Sequence, residues 1–123
     1  MIFEKRSLSL ILTLIIAVEI FYFSSIPGKT FGTQGIEIIP IIYHFSVFFL
    51  LNFFLLSSLN ANKKLKLKYL CLSLFLSLAY TLTDEYHQLF TLGRSSNISD
   101  LLTDSLGIFY STLIYIYINK KSQ

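Results

Sequence analysis

Between Asp84 and Arg94 the chain reads DEYHQLFTLGR, which sets two carboxylates, an imidazole, an amide and a guanidinium close together in an otherwise apolar sequence. An imidazole beside a carboxylate can carry or release a proton near neutrality, and a guanidinium offers a planar fork for phosphate or carboxylate. Residues three and four apart share a helix face. On a helix that continues past Thr83, Tyr80, Asp84, His87 and Gln88 therefore form one stripe, with Glu85 turned elsewhere. Asp100, Asp104, Gly107 and Ser111 form a second polar or small stripe, and Gly107 would let another helix approach closely. The stripes are expected to face each other, with His44 joining them and Gly93 making the turn that brings Arg94 back toward the carboxylates.

Each group also has a reading without function. Asp100 favours the positive end of its helix, with Asn97 as the cap. Arg94 can close an internal salt bridge, His87 can be a hydrogen-bonded surface residue, and Glu19 can reach the interface or pair with His44. Asp104 is harder to account for, because it lies a further turn along the axis, where a charge in a membrane helix costs about 2.5–3.5 kcal/mol. Asp84, His87, His44 and Asp104 are ligand types that suit a divalent cation. Their spacing matches no strong metal motif, so neither a metal nor a cofactor is expected.

The elements that must position these groups follow from composition. Of 123 residues, 54% are hydrophobic and 14% charged, against about 25% charged in an ordinary soluble domain, and mean hydropathy is +0.64. Four apolar runs, Leu8 to Phe23, Ile38 to Ser58, Leu67 to Thr83 and Ile98 to Ile118, approach the ~20 residues that cross a bilayer as helix. The expected fold is all-α: an integral membrane four-helix bundle forming one domain over 1–123. Glu19 and the lack of an A-x-A-like cleavage site favour a membrane helix over a signal peptide for the first run. Cys71, the single cysteine, reads as packing.

Lys5, Arg6, Lys63, Lys64, Lys66, Lys68, Lys120 and Lys121 fall on one side of that topology, whereas Lys29 and Arg94 fall on the other. Basic residues near short loops stay in the cytoplasm, so both termini are expected to be cytoplasmic. Glu37, Asp84, Glu85, Asp100, Asp104 and the deeper Glu19 then lie toward the outside, and only Glu4 stays within. The inner half shows Asn52, Ser73 and a few hydroxyls, which ranks transport low. Phe21, Tyr22 and Phe23 at the outer edge, and Tyr115 and Tyr117 at the inner, suit aromatic belts. The basic residues make anchors and no stripe with interleaved aromatics, so nucleic acid is excluded as a partner.

DEYHQLFTLGR followed by SDLLTDSLG resembles the VanZ-like family of small bacterial membrane proteins, whose pattern is roughly Asp-Glu-x-x-Gln, a spacer, Gly-Arg, then Asp-x-x-x-Asn-x-x-Gly. Phe23-Ser24-Ser25-Ile26-Pro27-Gly28 looks like the family's turn after helix one. On that resemblance Asp84, Glu85, Gln88, Gly93, Arg94, Asp100, Gly107 and His44 take the motif positions. Asp104 stands where the family commonly has Asn, Ile41 where a Lys often precedes the histidine, and Ser111 where a small Gly is usual. The resemblance implies a cell-envelope protein of the teicoplanin-resistance-associated family.

Three functions fit these residues. The first is an envelope protein whose partner, besides the bilayer, is the head group of a lipid or lipid-linked wall precursor, or another membrane protein, with an effect on glycopeptide susceptibility. The second is an enzyme acting on a phosphorylated or glycosylated lipid, with Asp84 or Glu85 as base, His87 as proton carrier and Arg94 stabilising negative charge. The third is a structural accessory protein in which the charged groups form a closed salt-bridge network.

Overall fold

The computed structural model describes residues 5–27, 38–61, 64–94 and 97–122. Glu4, Gly28, Lys29, Glu37 and Lys63, each placed by the sequence reading, lie outside the described residues. Four helices follow in order: α1 (Arg6–Ser25), α2 (Ile38–Asn60), α3 (Leu67–Gln88) and α4 (Ile98–Lys121). No strand occurs among the described residues.

Local chemistry sets the ends. Ile26 is extended, with φ −74° and ψ 129°, because the ring of Pro27 disfavours the helical region for the residue before it; α1 stops there. Pro40 sits in the first turn of α2, where no intrahelical donor is lost. Asn97 caps α4, its side chain accepting from the Ser99 N–H at 3.0 Å, which satisfies one of the otherwise unpaired first amides. α3 runs to Gln88, beyond the apolar run that ends at Thr83. Its last polar turn stays helical because Asp84, Glu85 and Gln88 are buried in the bundle.

Lateral hydrogen bonds fix the helix directions. His44 meets Asp104, Asn52 meets Ser111, and Asn60 meets Tyr115, so α2 and α4 run parallel. Tyr80 donates to the Ala17 carbonyl and Ser24 to Asp84, so α1 and α3 also run parallel, antiparallel to the other pair. α2 and α3 touch each other across the short diagonal, while α1 and α4 lie apart on the long one. The C-terminal ends of α1 and α3 and the N-terminal ends of α2 and α4 thus gather at one end of the bundle.

The interior is polar and the exterior apolar. Among the described residues seventeen polar or charged side chains are buried against eight apolar ones, and Leu14, Val18, Phe75, Leu82, Leu102 and Phe109 are exposed. A water-soluble bundle would invert this arrangement, whereas small and hydroxylated residues at helix contacts with an apolar exterior suit lipid. The apolar core itself is a small cluster of Ile16, Ile20, Val47, Phe48, Leu51 and Ile108. α1, α2 and α4 are long and apolar enough to cross a membrane. α3, expected as a fourth such span, does not reach that measure. Its polar residues Ser73, Ser77, Thr81, Asp84, Glu85 and Gln88 are all buried, and it shows Leu72, Phe75, Leu76 and Leu82 outward, so its low hydropathy reflects its inner face.

Two smaller expectations change. Cys71 is exposed on α3 instead of packed inside. Tyr115 is buried, its hydroxyl accepting from Asn60 at 3.4 Å, while Tyr117, Tyr22, Phe21 and Phe23 are exposed.

α2 and α4 approach each other closely at Gly107. A Cβ built there would overlap the Phe45 carbonyl oxygen and lie 3.2 Å from the Phe49 nitrogen, both backbone atoms of α2. Since backbone cannot swing aside as a side chain does, Gly107→Ala is expected to cost about 1–3 kcal/mol, the range for overpacking. Denaturant titration of the two proteins in micelles, followed by circular dichroism, reads that cost.

Candidate functional site

At the polar end a cavity of about 370 Å³ opens between α1, α2 and α3, lined by Glu19, Ser24, His44, Asp84, Gln88 and Arg94 on its polar side. Ile20, Phe23, Val47 and Phe48 supply much of its apolar wall. Ser24 and Gln88 come from the last turns of α1 and α3, and Arg94 from the turn that follows α3.

Asp84 and Gln88, one turn apart on α3, face α1. The Ser24 hydroxyl donates to Asp84 Oδ1, and the Gln88 amide donates to Asp84 Oδ2 at 3.2 Å. Asp84 is therefore buried with both oxygens engaged. Deeper, and from the opposite pair of helices, His44 Nδ1 lies 2.9 Å from Asp104 Oδ1. With Asp104 ionised the carboxylate only accepts, and Nδ1 then carries the proton in this pair. Asp104 is fully buried, and its second oxygen, Oδ2, has no hydrogen-bond partner among the described residues. One ligand atom each from His44, Asp84 and Asp104 lie within 4.8 Å of one another. The stripes of α3 and α4 thus converge, with His44 between them.

Arg94 reaches the site by the expected turn and with unexpected partners. Gly93 takes φ 72°, in the region open to glycine, and the Arg94 N–H donates to the Thr91 carbonyl at 3.2 Å. The guanidinium does not join a described carboxylate. Nε donates to the Ile26 carbonyl at 3.1 Å and Nη2 to the Phe23 carbonyl at 3.0 Å, so Arg94 fastens the end of α1 where Pro27 has stopped the helix; the Phe23 carbonyl also accepts from the Ile26 N–H at 3.3 Å.

The remaining predicted residues divide between this cluster and its surroundings. Glu85 turns away from Asp84, as helix spacing requires, yet is also buried: α3 is covered on two flanks, and Glu85 Oε2 accepts from the Asn97 N–H at 3.3 Å, at the positive end of α4. Asp100 sits in the first turn of α4. His87 lies outside the cavity, stacked on Phe21 with centroids 4.6 Å apart and with Nε2 2.9 Å from the Ser25 hydroxyl. Glu19 lines the cavity, while the histidine it was offered as a partner is bonded to Asp104.

Sequence did not single out Ser24 as the donor to Asp84, nor Tyr43, whose buried hydroxyl in the cavity wall has no hydrogen-bond partner among the described residues. The turn Ser24-Ser25-Ile26-Pro27 was the available signal for the first. Nothing in the spacing marks Tyr43.

A family model described as VanZ/LLP1 matches residues 7–119. No curated protein and no solved structure matches the chain.

Proposed function

Because the chain belongs to the VanZ/LLP1 family, we propose that it is a cell-envelope membrane protein whose cavity binds the polar head group of a lipid or lipid-linked wall precursor, and that its link to glycopeptide susceptibility runs through this binding. Four crossings with both termini cytoplasmic put the cavity on the extracytoplasmic side. The described basic residues Lys5, Arg6, Lys64, Lys66, Lys68, Lys120 and Lys121 belong to helix ends opposite the cavity, the distribution that cytoplasmic retention favours. The apolar outward face of α3 is compatible with its crossing beside the other three.

The observation that carries the reading is the cavity itself, which joins carboxylate, imidazole, amide and guanidinium groups to an apolar wall. A head group and the start of its acyl or prenyl tail need that combination. A closed salt-bridge network would leave no such space. An enzymatic reading built on His87 loses its geometric support, because His87 is turned toward Phe21 and Ser25.

Arg94→Ala and Asp84→Asn are expected to weaken binding of a lipid-linked wall precursor at least about tenfold, or 1.4 kcal/mol, and to shift glycopeptide susceptibility in cells. Native mass spectrometry of the purified protein reads the first and growth at graded antibiotic concentrations the second. Correctly inserted variants that change neither would remove the support for head-group binding.

A further inference from the structure

The described cavity lining has the wrong sign for an anionic head group. Glu19 and Asp84 bring carboxylates to it, and Arg94 is its one basic side chain apart from His44, with Nε and Nη2 engaged by α1 carbonyls. A phosphate entering this space would meet like charge. Below Asp84 stands the His44–Asp104 pair, where Asp104 is 0% exposed and its Oδ2 lacks a hydrogen-bond partner among the described residues. An unpartnered carboxylate oxygen at that depth is costly unless something cationic meets it.

One imidazole nitrogen and two carboxylate oxygens, with atoms within 4.8 Å of one another, are the donors that suit Zn²⁺ or Mn²⁺ over an all-oxygen cation such as Ca²⁺ or Mg²⁺. Ligand atoms about 2.0–2.2 Å from a shared ion stand about 3–4 Å apart. The 2.9 Å between His44 Nδ1 and Asp104 Oδ1 already meets that spacing, and Asp84 needs to close by about an ångström. The three ligands come from α2, α4 and α3, whose mutual packing fixes the backbone behind them. Because His44 and Asp84 also line the cavity, coordination positions left over face its interior.

We propose that His44, Asp84 and Asp104 hold a divalent transition cation, Zn²⁺ or Mn²⁺, at the floor of the cavity, and that the open positions of this ion take a phosphate oxygen of the bound head group. The second half rests on the head-group reading; the first does not. The cation inverts the local charge and, with Asp104 chelating through both oxygens, gives Oδ2 its partner. His44 then bonds the ion through a nitrogen freed of its proton, which metal binding releases. The proposal departs from the expectation of no bound metal, which rested on spacing that matches no metal motif; of the four ligand types named there, His44, Asp84 and Asp104 come together and His87 does not.

The test uses tag-free full-length protein in nanodiscs, stripped with chelator, dialysed against Zn²⁺ or Mn²⁺ and analysed for metal content. About one equivalent per chain is expected, with affinity at least about tenfold lower in Asp84→Asn and Asp104→Asn. Since Asp104→Asn could disturb folding, Mn²⁺ electron-spin-echo spectra supply a second readout: a nitrogen coupling in the wild type, absent from folded His44→Gln. No retained metal, or affinity unchanged in all three variants, overturns the cation site. Binding of a polyprenyl diphosphate, measured with and without chelator, separates the two halves. Loss with chelator supports the bridging role, and binding indifferent to chelator overturns that role. Diphosphate binding by a protein that retains no metal would overturn the cation while leaving head-group binding standing.

Discussion

His44→Leu is expected to destabilise the metal-free protein by about 3–5 kcal/mol, because breaking a buried pair from one side leaves the other partner's charge uncompensated. Asp104 is fully buried, and its single hydrogen bond among the described residues is to His44. Leucine fills much of the imidazole's space, so the loss reflects polarity more than volume. Removing both partners tells the two apart: His44→Leu/Asp104→Leu leaves no charge behind and should return to within about 1–2 kcal/mol of wild type, as replacement of buried pairs by packed apolar groups commonly does. Asp104→Leu alone is expected to fall between them, since the histidine left over can stay neutral and costs only an unmade hydrogen bond, about 1–3 kcal/mol. Unfolding of the four proteins by denaturant in micelles with chelator present gives the ranking. If His44→Leu proves no worse than the double variant, the pair is not the dry, isolated contact described above.

The existence of α1, α2 and α4 was legible because apolar runs of this length carry a strong signal, and the shared faces of Asp84 with Gln88 and of Asp104 with Gly107 were legible because three- and four-residue spacing survives in any straight helix; Asp84 and Asp104 do come together, while Gly107 packs on α2. What escaped the sequence depended on partners far along the chain. Glu19 was open to His44 by sequence position, and the parallel register of α2 and α4 gives it Asp104 instead. Arg94 was read against side-chain carboxylates, yet its partners are backbone carbonyls of α1, which no residue type announces; Pro27, which ends that helix, was the indirect clue. Hydropathy marks the third run only to Thr83, while the stripe of Asp84, His87 and Gln88 needs the helix to continue; α3 does continue to Gln88, with Asp84, Glu85 and Gln88 buried. The inner half looked nearly empty of polarity for a related reason. Ser9, Thr13, Ser57, Ser73, Ser111 and Thr112 are buried there or near mid-bundle, but several of these hydroxyls bond carbonyls of their own helix, as Thr13 does with Ser9 and Thr112 with Ile108, and such residues read from sequence as neutral filler.

Asn52→Ala is expected to cost about 3–4 kcal/mol, given about 0.6–1.7 kcal/mol per interhelical hydrogen bond in membrane bundles and a further term for the void. Asn52 is fully buried midway along α2. Its amide group lies 2.6 Å from the Ser111 hydroxyl, 2.9 Å from Thr112 and 3.1 Å from the Ile108 carbonyl on α4, while its Oδ1 accepts from Ser77 on α3 at 3.0 Å. One side chain therefore ties three helices, and two amide protons serve three acceptors. When Asn52 is removed, Ser111 and Thr112 keep the Ile108 carbonyl, to which they already donate at 3.2 and 3.0 Å; Ser77 loses its acceptor and must turn to a carbonyl of its own helix. Asn52→Val, which restores much of the volume without the amide, should therefore recover about half of the loss. The difference between the valine and alanine variants measures the void, and the difference between valine and wild type measures the polar tie. Equal stability of valine and wild type would mean that α2, α3 and α4 are held at mid-depth by shape alone, with Gly107 as the principal contact and the Asn52 layer as a lining that seals the polar end from the far side.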